Sequence, residues 1–379
     1  MFISSSLSRP EESHAVCSHL VIPMSVSSCN RQIEDAVLTD GTSVIALLSE
    51  LSQTSNSSTW AQESTALTIS ARYCEPSGTS PRRDAVQLLV HGITYTKDYW
   101  SALGLSGDQS QLYSWVDFAA RRGYATLSID RAGDGASSHP NPFHVDQISL
   151  HAAVANHIAI QLKQGQIILG QSFENVIYVG HSLGSVIGVE LATTYPDAVD
   201  ALVLTGFANL SASPSPLVLN TGLLPAREAY PARFGNLDEG YLVTSSMSAR
   251  QKAFYGRNGT FDPKVSALDF SVQQTVSVGE MATVRQLKVA SNYSGPVTVI
   301  IGEQDAAFCY VNETSDGLGP GGECGQGKTS PPALVSALFP AASTFSATVL
   351  DDMGHCINLH YRAALAYTVA HDWMDEHVC

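Results

Sequence analysis

The sequence predicts an α/β fold in which a mostly parallel sheet is covered by helices on both faces, and three observations carry that prediction. Short apolar runs recur from about residue 86 onward, each followed by a longer amphipathic stretch; that alternation marks βαβ units. The runs are rich in Val, Ile and Leu at successive positions, as strands buried on both faces must be. Only 15% of the residues are charged while 44% are hydrophobic, enough to bury a large core and too apolar for a disordered chain.

In chain order, Leu20 to Ser27 and Ala66 to Tyr73 are strand candidates, separated by a helix-like stretch near Ile33 to Leu51 and the Ser/Thr-rich QTSNSSTW. Residues 1–60 thus read as an extension with an edge strand. The doubly covered strands are expected at Ala85 to Val90, Tyr124 to Ile129, Val176 to Gly180, Ala201 to Thr205, Val297 to Ile301 and Thr344 to Leu350. Helical spacing and length occur at Gln111 to Arg122, Ile148 to Lys163, Leu183 to Tyr195 and Leu359 to Asp375. Between Thr205 and Val297 strand rhythm is absent, and scattered aromatics (Tyr230, Phe234, Tyr241, Phe254, Tyr255, Phe261, Phe270) suggest a mainly helical insertion. The expected division is a core of 1–206 and 294–379 with a cap at 207–293. No internal repeat is visible.

Charge and cysteines narrow the function classes. A net charge of -15 repels phosphate backbones and anionic membranes, so no nucleic acid partner is expected. No apolar run has the length of a membrane-spanning helix. The cysteines at 17, 29, 74, 309, 324, 356 and 379 form no CxxC pair and lack metal-type histidine spacing, so neither metal nor cofactor is expected. Cys309 and Cys324 flank a glycine-rich stretch that a disulfide would restrain. Five N-x-S/T sequons, at Asn56, Asn209, Asn258, Asn292 and Asn312, favour secretion. Against this, MFISSSLSRP has no apolar segment of a signal peptide; the expectation is a secreted protein whose signal was removed, with a cytoplasmic one as the alternative.

The sharpest chemical signal is Gly180-His181-Ser182-Leu183-Gly184, lying between the strand NVIYV and the helix SVIGVELATTY. A nucleophile on so tight a strand-to-helix turn needs a strained backbone, and the flanking glycines leave room for it. The turn lifts Ser182 into the site and aims the Leu183 N–H, at a helix N-terminus, at a developing oxyanion. Without that strand and helix, GHSLG would be an ordinary Gly/Ser turn.

A serine hydroxyl needs a base and an orienting carboxylate. Asp305 follows the strand VTVII, and His355 follows TFSATVL through Asp351-Asp352-Met353-Gly354. Both therefore belong at the same C-terminal sheet edge as Ser182. Glu303 is the rival acid, but it stands at the strand end itself. His360 and His371 fall in the last helical segment, and His181 should point away from the nucleophile.

With these residues in place, the chain from about Val86 onward resembles a capped α/β-hydrolase. His91-Gly92 after AVQLLV is similar to that family's HG motif, which implies the Ile93 N–H as second oxyanion donor. Asp130-Arg131-Ala132-Gly133-Asp134-Gly135-Ala136-Ser137 resembles the family's structural D-x-x-G-x-G-x-S loop, so Asp134 is not taken as a catalytic acid. Gly92, Thr94, Tyr95 and Phe207 are the candidate substrate-contacting residues. The 50-residue interval from Asp305 to His355 is longer than the family pattern, and with the sequons and N-terminal extension it most resembles secreted fungal members.

The resemblance implies acyl chemistry. Epoxide hydrolases and haloalkane dehalogenases of this fold carry aspartate at the nucleophile position, where this chain has Ser182. The expected function is cleavage of a carboxylic ester or lactone of a hydrophobic small molecule. Acyl transfer or a natural-product biosynthetic step with the same triad is the alternative, then amidase or aminopeptidase activity, then ligand binding without turnover.

Overall fold

The computed structural model describes residues 15–209, 221–312 and 321–378. The start of the expected cap (210–220), the centre of the glycine-rich stretch (313–320) and Cys379 lie outside them. The described chain opens with two 17-residue strands, β1 (Ala15–Arg31) and β2 (Trp60–Pro76), paired antiparallel from Ala15↔Pro76 to Arg31↔Trp60. Burial alternates along the second half of β1, as it must in a strand with one face in water. The pair is longer than its apolar runs suggested, because its polar outward positions break the hydrophobic signal without breaking the ladder. Helix α1 (Gly41–Gln53) joins the two strands. It starts eight residues after Ile33, where Asp40 and Ser43 form a reciprocal capping box that satisfies the first free N–H groups.

The central strands follow: β3 (Ala85–Val90), β4 (Ala125–Ile129), β5 (Asn175–His181) and β6 (Ala201–Thr205). Nearly every residue of these four is buried, which explains why they are mostly apolar at successive positions. Helices α2 (Asp108–Leu112) and α3 (Trp115–Arg121) replace the single helix expected from Gln111 to Arg122; the Ser114 side chain accepts from Asp117 N–H and starts α3 afresh. Helix α4 (Ile148–Lys163) and helix α5 (Leu183–Thr194) match their expected spans closely.

After β6 come β7 (Leu223–Pro225), the one-turn helices α6 (Ala226–Ala229) and α7 (Pro231–Phe234), and β8 (Tyr241–Thr244). Helices α8 (Met247–Phe254) and α9 (Pro263–Val272), strand β9 (Val276–Ser277) and helix α10 (Val278–Thr283) complete the insertion. Most of its regular structure is helical, but β7, β8 and β9 form a small antiparallel sheet that two to four residues per strand are too few to announce by periodicity.

The core resumes with β10 (Val297–Gly302), the hairpin β11 (Tyr310–Asn312) and β12 (Gly321–Glu323), then β13 (Phe345–Leu350) and helix α11 (Ala363–His377). Helix α11 begins after Leu359 because Ile357–Leu359 forms a separate 3-10 turn.

The eight-stranded sheet runs β1-β2-β4-β3-β5-β6-β10-β13, parallel from β4 to β13. From β3 the chain moves to β4 on one side and then to β5 on the other, so the order reverses between β3 and β5. Connections leaving in opposite directions open a crevice at the carboxyl ends of those two strands. Residues 91–95 and Ser182 meet there.

Candidate active site

Ser182 sits at φ 56° and ψ −117° between β5 and α5, a left-handed conformation that a residue with a Cβ adopts only under constraint. The constraint is visible on both sides. A Cβ on Gly184 would lie 2.1 Å from the Val90 carbonyl oxygen, and one on Gly180 would lie 2.5 Å from the Gly184 carbonyl. Only glycine lets the elbow pack that closely on β3. The Ser182 N–H is held by Thr205 O at 2.9 Å, while the Leu183 N–H is the first of α5 and has no intrahelical acceptor.

Asp305 and His355 meet across the loops after β10 and β13. The Nδ1–H of His355 donates to Asp305 Oδ2 at 2.8 Å, and Asp305 Oδ1 accepts from the N–H groups of Ala307 (2.8 Å) and Phe308 (3.0 Å). Both carboxylate oxygens are thus occupied, and the contact favours the neutral tautomer that carries its hydrogen on Nδ1. Glu303 stays at the strand end with its N–H on Leu350 O. The His355 ring rests between Phe254 and Phe308, at centroid distances of 5.4 and 5.6 Å, and above Gly206, whose Cβ would lie 3.2 Å from it. Ser182, Asp305 and His355 are all buried.

The 91–95 loop reaches Ser182 directly: a Cβ on Gly92 would lie 2.8 Å from Ser182 Cβ. His91 donates from Nδ1 to Gly92 O and accepts at Nε2 from Arg131 N–H. Burial, reinforced by Arg131, pushes His91 well below the ordinary histidine range, so it is a neutral brace. Thr94 and Tyr95 are buried and engaged elsewhere, Thr94 with Arg250 and Tyr95 with Asp269 and Cys356. Phe207 is fully buried against Phe308. Asp134 pairs with Arg131 at 2.7 Å, in keeping with a structural loop.

The His181 ring stacks on Tyr99 at 4.5 Å and lies 4.9 Å from the His355 ring. The sharp turn leaves His181 in the sheet, paired with Thr205 and beside the His355 ring. Burial, then the neighbouring His355 and His91, hold His181 well below the ordinary histidine range. His360, expected within the last helical segment, lies just before it. Its Nε2 accepts from Gly354 N–H at 3.0 Å and its Nδ1 donates to Cys356 O at 2.8 Å, which closes the loop carrying His355. The spacing of His360 from His355 could have suggested this brace.

The expected Cys309–Cys324 disulfide is present, and a second one links Cys17 to Cys74, directly opposed in the β1–β2 ladder. Cys356 is a free thiol that burial pushes well up, which keeps it from acting as a thiolate. Asp146, His151 and Glu280 bring potential metal-ligand atoms within 4.8 Å of one another. However, His151 Nε2 lies 2.8 Å from Glu280 Oε1, and Arg131 pairs with that same oxygen. Two ligands on a tetrahedral zinc stand about 3.3 Å apart, so this cluster reads as a charge brace in which Arg131 is the cation. Among the described residues, no helix is long and apolar enough to cross a membrane.

A parallel sheet with a strained serine between strand and helix, and a hydrogen-bonded His–Asp pair on loops after two further strands, is the pattern of the hydrolase class of α/β proteins. A family model described as the alpha/beta hydrolase family matches residues 87–366, and the chain belongs to that family. Among solved structures, a bromoperoxidase from Bacillus anthracis is similar over 82% of this chain and 96% of its own, at 14% identity and a TM-score of 0.54. A thermophilic esterase from Thermogutta terrifontis covers 83% and 95% at 15% identity and a TM-score of 0.50. An epoxide hydrolase from Vigna radiata covers 91% and 98% at 14% identity and a TM-score of 0.50. At such identities the likeness is one of fold alone. No curated protein sequence matches significantly.

Proposed function

We propose that this protein is a serine hydrolase that cleaves a carboxylic ester or lactone of a hydrophobic small molecule through an acyl-enzyme on Ser182. The observation that carries the reading is the strained Ser182 backbone at the sheet edge where His355 and Asp305 are hydrogen-bonded. His355 Nε2 takes the proton from the Ser182 hydroxyl as Oγ attacks the acyl carbon, and returns it to the leaving alcohol. Asp305 holds the imidazole tautomer and stabilises the imidazolium. The Leu183 and Ile93 N–H groups receive the oxyanion. Water then repeats the sequence on the acyl-enzyme. The apolar rings of Phe254, from the insertion, and Phe308 beside His355 favour a hydrophobic substrate. An epoxide-opening route like that of the Vigna radiata neighbour is disfavoured, because it calls for a carboxylate where this chain has Ser182.

Two disulfides, together with exposed sequons at Asn258 and Asn292, favour an extracellular protein. The test is turnover of p-nitrophenyl esters of increasing chain length, with several lactones, by wild type and Ser182→Ala. Wild-type turnover abolished by the substitution supports the reading. Equal rates from both proteins would refute it, and no turnover of any acyl substrate by wild type would favour the acyl-transfer or ligand-binding alternatives.

A further inference from the structure

The insertion also holds the loop that follows β3. Thr94 has φ 58°, an unfavourable value for a β-branched residue, and three groups of the insertion hold it there. Its N–H donates to Thr275 O at 2.9 Å, its carbonyl accepts from Gln274 N–H at 2.9 Å, and its Oγ1 accepts from Arg250 Nη1 at 2.6 Å. Arg250 is itself immobilised. Its Nε and Nη2 donate to the two carboxylate oxygens of Asp269 at 2.8 and 2.7 Å, and its guanidinium lies over the Tyr95 and Phe254 rings at 4.6 and 5.0 Å. Tyr255 and Tyr95 add their hydroxyls to Asp269.

On the other side of Ile93, Gly92 O accepts from His91 Nδ1 at 2.9 Å and from Arg131 Nη2 at 3.3 Å. The Gly92–Ile93 peptide is planar and trans, so fixing that carbonyl aims the Ile93 N–H the opposite way. Its direction is thereby pinned at both ends: upstream by the core, downstream by the insertion.

We propose that Arg250 is a positioning residue for the Ile93 oxyanion donor, and that α8 and α9 form a fixed wall of the site rather than a swinging lid. This rests on the serine-hydrolase reading above. An arginine suits the task because its planar fork engages Asp269 bidentately and still has a nitrogen for Thr94; a lysine cannot do both.

The test uses the full-length chain as wild type, Arg250→Lys, Thr94→Val and Thr94→Ser, with a p-nitrophenyl ester and an alkyl fluorophosphonate. The latter forms a Ser Oγ–P bond, expels fluoride and seats its phosphonyl oxygen between the same N–H donors. Arg250→Lys and Thr94→Val are expected to lose about 10- to 100-fold in kcat with KM within about twofold of wild type. Labelling of Ser182 should slow by the same factor, and Thr94→Ser, which keeps the hydroxyl, should fall clearly less than Thr94→Val. Wild-type labelling rates in both Arg250→Lys and Thr94→Val would overturn the proposal, as would equal losses in Thr94→Ser and Thr94→Val or a rise in KM matching the loss in kcat. Should Arg250→Lys fail to fold, the Thr94 pair decides. Failure of the wild type to label at Ser182 would overturn the hydrolase reading and this inference with it.

Discussion

Two buried histidines, His371 away from the candidate site and His360 in the loop beside it, set a pH dependence of stability whose size follows from their surroundings. His371 donates from Nδ1 to Tyr367 O and accepts at Nε2 from Gln87 Nε2 at 3.0 Å, while Gln87 Oε1 takes the Trp115 indole N–H at 2.7 Å. A proton on Nε2 would face a donor and break this chain. Burial lowers His371 from 6.5 to about 4, and does the same to His360. A histidine depressed in the folded state takes up its proton more readily when unfolded, so its stabilising effect is complete above pH 6.5 and is lost progressively as pH falls to about 4. At about 1.4 kcal/mol per pK unit, each histidine accounts for roughly 3 kcal/mol across that window. That is a large part of the roughly 5–15 kcal/mol stability of a typical domain. The assay is urea unfolding between pH 4 and 8 for wild type and His371→Gln. The variant should be less stable at pH 7, yet its stability should fall by roughly 3 kcal/mol less between pH 6.5 and 4. Parallel pH curves for the two proteins would refute the argument, since the carboxylates titrating in the same range are common to both.

Gly184→Ala puts a methyl group 2.1 Å from a carbonyl oxygen of β3, and should destabilise the fold by roughly 3 kcal/mol or more, read as a lowered Tm with activity lost. The double change Cys309→Ser with Cys324→Ser opens a link across 15 residues and should cost about 3 kcal/mol. Because Cys309 N–H donates to Asp305 O and Cys324 N–H to Glu303 O, kcat should fall as well; unchanged Tm and kcat would show that the link is dispensable. Peptide mapping of protein from a eukaryotic secretory host should find glycans at the exposed Asn258 and Asn292, and unmodified asparagines at both would count against secretion. The side chains of Asn56 and Asn312 lie outside the described residues.

The elbow was legible because its geometry is local. Gly180, Ser182 and Gly184 lie within five residues, and a strand and helix on either side leave the chain one way to turn. Asp305 and His355 were readable for a related reason: each follows a mostly apolar strand, and parallel strands end at a common edge. The α1 start and the break between α2 and α3 were not legible, since capping by Asp40 and Ser114 overrides a continuous apolar pattern. The three-stranded sheet of the insertion was hidden by the shortness of its strands.

By itself, then, the sequence determined the α/β class, the position of the Ser182 turn and the strand ends that carry Asp305 and His355, because these depend on periodicity, glycine and neighbours within one turn of chain. Only the tertiary structure decided that His181 lies against His355, that Cys17 faces Cys74 across 57 residues, and that Arg250 reaches Thr94 across 156. Those contacts depend on how separately formed elements pack. Side chains far apart in the chain meet only where the elements that carry them are buried against one another, and no local pattern specifies that meeting.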